Sequence, residues 1–273
     1  MNRLERRFAE LRHARRCALI PFVTGGDPDP AFTVPTLHAL VEAGADALEI
    51  GVPFSDPMAD GPVIQRANER ALEKRVGLRR VLELVREFRT RDGATPVVLM
   101  GYMNPLEIYG LTRFATDAAA AGVDGTILVD DPPDEAEPVA QALGAAGLAQ
   151  VFLAAPTTTA TRIERIAALG RGFLYYVSFA GITGADRIAL DSVRARVLEL
   201  KRSVSLPVAV GFGIKEPAQA AAIAEFADGV VIGSALVERL ATASTATDAA
   251  TVAAEFLAPI RAAIDRARAA AAA

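Results

Sequence analysis

Eight short aliphatic runs alternating with helical patterns, an internal repeat that passes from helix through turn to strand, and a length of 273 residues predict an α/β fold: a single (β/α)8 TIM barrel with an extra N-terminal helix. The runs fall at residues 18–23, 47–52, 96–101, 125–129, 150–153, 173–178, 207–212 and 229–232. Their nearly continuous apolar character suits parallel strands covered by helices. The repeat comprises EAGADALEIG (42–51), AAGVDGTILV (120–129) and AEFADGVVIG (224–233), each of which ends a helix, passes an Asp and enters a strand. Gly44 and Gly122 are natural left-handed helix caps, and the third copy lacks that glycine. One barrel takes about 250 residues. No Ser-rich linker or break in composition marks a second domain, so residues 1–273 read as one.

Ahead of the first strand, MNRLERRFAELRHARR sets Leu4, Phe8 and Leu11 on one face of a helix. It has no apolar signal core, and Glu5 and Glu10 argue against a transit peptide. Strand one runs into Thr24, Gly25, Gly26, Asp27 and Pro28. In strand two Leu48, Ile50 and Val52 alternate with Ala47, Glu49 and Gly51, so Glu49 points away from the large aliphatics. Burial there, with no cation nearby in sequence, would raise its pKa above the ordinary value of about 4.3. A general acid is made that way at neutral pH. The structural alternative is a Glu paired with an Arg or hydroxyl elsewhere in the fold.

Residues 53–62 follow strand two and carry Asp56 and Asp60, each of which could instead serve a turn or a helix N-cap. Tyr102, Met103, Asn104 and Pro105 follow strand three, and Asp130, Asp131, Pro132 and Pro133 follow strand four. After strands six, seven and eight come GITG (181–184), GFG (211–213) and GSA (233–235), loops that let backbone amides approach an anion: a phosphate cradle without lysine. Phe22, Tyr102, Tyr175 and Phe212 stand at strand ends, as barrel core or as walls for a flat aromatic substrate. All of these features fall where strands hand over to helices, the functional face of such a barrel. Near the end, the small and polar residues 242–251 suggest a loose insertion, and the alanine-rich residues 267–273 a fraying helix end.

A net charge of −4 gives no basic excess for nucleic acid or an anionic membrane. The single cysteine, Cys17, excludes an internal disulfide, and His13 and His38 lie outside any ligand-like spacing, so no metal is expected. No apolar run approaches the roughly 18 residues of a spanning helix, and the expectation is a cytoplasmic protein. Lys74, Lys201 and Lys215 are the only lysines and none lies inside a strand, which argues against a Schiff-base enzyme.

Taken together, PFVTGGDPDP (21–30), GADALEIGVPFSDPMADGPVIQRAN (44–68), GYMNP (101–105), SFAGITG (178–184) and VGFGI (210–214) resemble the tryptophan synthase alpha chain family over nearly the whole chain. The resemblance implies a TIM barrel that cleaves indole-3-glycerol phosphate to indole and glyceraldehyde 3-phosphate. On this sequence it implies Glu49 as the acid/base at indole C3 and Asp60 as the carboxylate on the indole N–H. It further implies Phe22, Tyr102, Tyr175 and Phe212 around the indole, a mobile lid over residues 178–185 with Thr183 able to reach Asp60, and phosphate held by Gly184, Gly213, Gly233 and Ser234. Pro53, Asp56, Met103, Asn104 and Pro105 match loops that in the family face a beta chain, in an alpha2beta2 heterotetramer. The beta chain carries pyridoxal phosphate, so no cofactor is implied here. Phe179 and Ala180 make the lid more apolar than in some members. Left open are a phosphate-binding isomerase or epimerase barrel, a catalytically idle barrel that only activates a partner, and a stand-alone lyase.

Overall fold

The computed structural model describes residues 1–178, 187–211 and 213–272. Eight parallel strands close into a barrel in sequence order: β1 (Ala18–Thr24), β2 (Leu48–Gly51), β3 (Val97–Gly101), β4 (Gly125–Leu128), β5 (Ala149–Ala154), β6 (Leu174–Val177), β7 (Val208–Gly211) and β8 (Gly229–Ile232). The helices are α1 (Arg3–His13), α2 (Pro30–Glu42), α3 (Pro62–Glu73), α4 (Leu78–Arg89), α5 (Met103–Tyr109) and α6 (Leu111–Ala121) in the first half. The second half adds α7 (Glu137–Ala145), α8 (Ala160–Leu169), α9 (Arg187–Ser203), α10 (Pro217–Ala224), α11 (Ser234–Leu240) and α12 (Ala246–Ala272). Each expected strand is present to within a residue or two, so the barrel follows from the aliphatic runs. No described helix is long and apolar enough to cross a membrane.

Strand alternation divides the core in two. Leu19, Leu48, Ile50, Leu99 and Phe152 face the helices, whereas Ala18, Ile20, Ala47, Val98, Ile127 and Ala209 fill the barrel. Helix α1 plugs the lower end with Leu4, Phe8 and Leu11, the ring of Phe8 lying 5.3 Å from that of Phe173. A capping box between Asn2 and Glu5 starts α1, and the amide of Asn2 donates to the Asp124 carbonyl at 2.8 Å.

The Asp of the sequence repeat has one job in all three copies. Asp46, Asp124 and Asp228 each donate a backbone N–H to the preceding strand (Leu19, Val97 and Val208, all at 2.8 Å). Each carboxylate accepts the N–H of that same residue, at 3.0, 2.9 and 2.9 Å. Cations close the arrangement: Arg261 on Asp46, Arg89 and Arg3 on Asp124, and Lys201 on Asp228. Gly44 and Gly122 have φ of 102° and 91°, as their capping role requires. They also clear a path, since a Cβ at Gly44 would lie 2.7 Å from Arg261 Cγ and one at Gly122 would lie 2.8 Å from Arg89 Cγ.

Residues 242–251 are not a loose insertion. Ser244 and Thr245 cap α12 through Asp248, and Ala249 is fully buried in the core. Small side chains there allow α12 to pack closely against α2 and α10. Helix α12 continues to Ala272 through the segment expected to fray, and within it Arg268 donates to the Ala227 carbonyl.

Candidate active site

Register sets the floor of the site. Glu49 lies between Phe22 of β1 and Val98 of β3 in the ladder and shares the inward phase of Ala47. It is 1% exposed, and its Oε2 finds no hydrogen-bond partner among the described residues. Burial, and after it the charge of Asp60, pushes the Glu49 carboxyl up to about 8.

Asp60 comes from the loop between β2 and α3. Gln65 donates to its backbone carbonyl at 2.8 Å, and its own N–H donates to the Pro57 carbonyl at 3.0 Å. Burial raises its carboxyl to about 6, opposed by hydrogen bonds from Tyr102 and Asn68 that favour the charged form. Near pH 7, therefore, Glu49 is mostly protonated and Asp60 mostly ionised, a division of labour between two neighbouring carboxyls.

Both line a cavity of about 640 Å³ whose apolar walls come from strand ends: Phe22, Met100, Leu153, Tyr175 and Val231. Gly213, Gly233, Ser234 and Lys215 line the same cavity. Gly213 has φ of 61°, and Gly233 is the N-cap of α11, its carbonyl accepting the Leu236 N–H at 2.9 Å and leaving the Ser234 and Ala235 amides ahead of the first helical bond. Gly211 acts differently from its neighbours: a Cβ there would lie 2.5 Å from the Tyr175 hydroxyl, so its bareness seats that ring. The glycine loops expected to work without lysine have one beside them: Lys215, exposed just beyond β7, is among the residues that line the cavity.

Other expected residues divide. Phe22 and Tyr175 line the cavity, whereas Tyr102 does not. As the N-cap of α5, Tyr102 stands behind Asp60, its hydroxyl accepting the Ala59 N–H at 3.1 Å and its ring 5.2 Å from Phe54. Thr183, Gly184 and Phe212 lie outside the described residues, as does the 178–185 segment beyond Ser178, which lines the cavity. Asp27, Asp130 and Asp131 serve the scaffold: Asp27 takes a bidentate pair from Arg70, Asp130 accepts the Met103 N–H, and Asp131 accepts from Gln150.

On the expected partner face, Asp56 and Asn104 are exposed and Met103 and Pro105 half-buried, but Pro53 is buried as the chain leaves the barrel. Residues 103–105 form the first turn of α5 rather than a loop. Met58 and Ile108, which the sequence did not single out, are the most exposed large apolar side chains nearby, at 85% and 83%. Met100, Leu153 and Val231 were also missed on the wall; their signal was the inward phase they share with Glu49. Among the described residues, no group of three or more His, Cys, Asp or Glu side chains could hold a metal ion.

The pattern of the tryptophan synthase alpha chain family matches residues 8–265. The chain belongs to that family. A tryptophan synthase alpha chain of Xylella fastidiosa (strain 9a5c) is 55% identical over 265 residues, covering 97% of this chain and 99% of the relative. One from Xanthomonas oryzae pv. oryzae (strain PXO99A) is 56% identical over 269 residues, covering 98% and 100%. The crystal structure of tryptophan synthase subunit alpha from Legionella pneumophila str. Paris superposes with a TM-score of 0.92 at 47% identity, covering 97% of this chain and 99% of that one. Like its family, this alpha chain is a carbon–carbon lyase of tryptophan biosynthesis, releasing indole and glyceraldehyde 3-phosphate from indole-3-glycerol phosphate. The sugar-phosphate isomerase alternative is thereby set aside.

Proposed function

We propose that Glu49 and Asp60 carry the cleavage between them. Glu49, protonated on the floor of the cavity, delivers its proton to indole C3 and converts the ring to an indoleninium ion. Positive charge grows on the ring nitrogen, where ionised Asp60 accepts the N–H and stabilises the charge. The hydroxyl on the carbon attached to C3 then loses its proton to the Glu49 carboxylate. As its C=O forms, the C3–C bond breaks and its electron pair returns to the ring, leaving neutral indole and an aldehyde. Glu49 ends as it began, so no proton is consumed.

The observation that carries this assignment is the unpartnered, buried Glu49 carboxyl on the wall of an apolar cavity. Phe22 and Tyr175 flank the indole, and the amides around Gly213, Gly233 and Ser234 hold the phosphate. The family resemblance adds Thr183, Gly184 and Phe212 to these sets.

The second part of the proposal is a cytoplasmic alpha2beta2 assembly in which the cognate beta chain, which holds the pyridoxal phosphate, receives the indole. Asp56, Met103, Asn104 and Pro105 face it, with the exposed Met58 and Ile108 of the neighbouring segments as apolar contacts. Indole release from indole-3-glycerol phosphate, measured with and without the cognate beta chain, tests both parts. Cleavage by the isolated chain that rises on titration supports them. No acceleration makes a stand-alone lyase the better account, and no cleavage under either condition makes it an idle barrel.

A further inference from the structure

We infer that Lys215 is a specificity-determining residue of the alpha reaction, supplying the positive charge that selects a phosphorylated substrate. The inference rests on assigning the glycine-rich side of the cavity to the phosphate. Lys215, itself exposed, lines the cavity with Gly213, Gly233 and Ser234, and it is the only cationic residue among the described residues that line it.

The backbone that carries it is fixed. Gln219 Oε1 accepts the backbone N–H of Lys215 at 2.9 Å and that of Glu216 at 3.2 Å, fixing the chain where it enters α10. Ile214, beside it, is 2% exposed and anchors the same turn in the core. The other two lysines are spent on carboxylates, Lys74 on Asp29 and Lys201 on Asp228, each at 2.7 Å. The Lys215 ammonium has no ion pair or hydrogen bond among the described residues, not even with adjacent Glu216.

Charge gives it a task. A cradle of amides offers a dianion only partial positive charges, and the chain around it carries a net charge of −4, with Glu49 and Asp60 in the same cavity. An ammonium on the wall offsets that field within a Debye length of about 8 Å at physiological ionic strength. A flexible stem also lets it follow the phosphate as the substrate enters and leaves.

The test compares wild type, Lys215→Met and Lys215→Arg by calorimetric titration with glycerol 3-phosphate and, separately, indole, at low and high salt. For Lys215→Met, the dissociation constant for glycerol 3-phosphate is expected to rise roughly three- to tenfold at low salt, with a weaker salt dependence than wild type. Indole affinity stays within error, Lys215→Arg recovers most of the loss, and KM for indole-3-glycerol phosphate rises more than kcat falls. Unchanged glycerol 3-phosphate binding in Lys215→Met overturns the inference, as does an equal loss for both ligands. If wild type itself fails to bind glycerol 3-phosphate, the phosphate assignment falls, and this inference with it.

Discussion

Glu49→Gln should abolish cleavage and, at the same time, make the protein more stable. The cost of the acid can be worked from its environment. Burial lifts the Glu49 carboxyl from an ordinary 4.5 to about 8. Between those values the native state holds a proton that the unfolded chain has released, so stability falls as pH rises through the window and levels off above it. Each pH unit inside the window is worth about 1.4 kcal/mol, which brings the cost at pH 7 to about 3 kcal/mol. An amide of the same shape does not titrate, and its buried dipole replaces a protonated carboxyl that is equally short of partners, so those desolvation costs largely cancel. Urea unfolding at pH 5 and pH 8 checks this: the variant should exceed wild type by under about 1 kcal/mol at the lower pH and by several at the higher. Turnover should drop by about 10² to 10⁴ from loss of the general acid alone, with a substrate analogue still bound. Equal stability of the two proteins at pH 8 would refute the raised pKa, and undiminished turnover would remove Glu49 from the mechanism.

Four further outcomes are expected. Wild-type kcat/KM should be bell-shaped in pH, failing below about 6 as Asp60 gains a proton and above about 8 as Glu49 loses one. Asp60→Asn should lower kcat severely and, by deleting a like charge near Glu49, move the alkaline limb to lower pH; a rise in KM alone would reduce Asp60 to a binding contact. Gly213→Val forces a β-branched residue to φ of 61° and should weaken glyceraldehyde 3-phosphate binding while free indole binds nearly as before; equal losses would indicate general unfolding. Asp56→Ala should leave cleavage by the isolated chain near wild type but blunt its activation by the beta chain, a tenfold activation corresponding to about 1.4 kcal/mol of coupling; undiminished activation would take Asp56 out of the interface.

The barrel was legible because parallel strands buried on both faces leave nearly pure aliphatic runs, and because Glu49 interrupts one of them in the inward phase. Loop chemistry was legible where it needs a rare residue: Gly44 and Gly122 at positive φ, Gly213 at φ of 61°. Tyr102 was misjudged because periodicity stops at the strand end; which way a side chain turns from a helix N-cap depends on a contact, here with Ala59, that lies 43 positions away. Lys215 was set aside for being outside a strand, although the wall of this cavity is partly loop. Residues 242–251 looked loose because small polar residues suit both a linker and a helix start, and the buried faces of α2 and α10 that decide between them are invisible locally. Pro53 matched by motif, yet burial of its ring follows from the exit path of β2.

The three aspartates at the lower rim have a consequence for the upper one. Each keys a seam between two strands, β1 to β2, β3 to β4 and β7 to β8, by gripping one amide with a carboxylate that nothing else in that strand can replace. A slip of one residue along such a seam would strip the carboxylate of its amide and turn every side chain of the strand to the opposite face, Glu49 among them. The keys therefore act as a vernier: a register set with charge at the closed end is read out, a few residues up the strand, as the position of an acid that carries no fastening of its own.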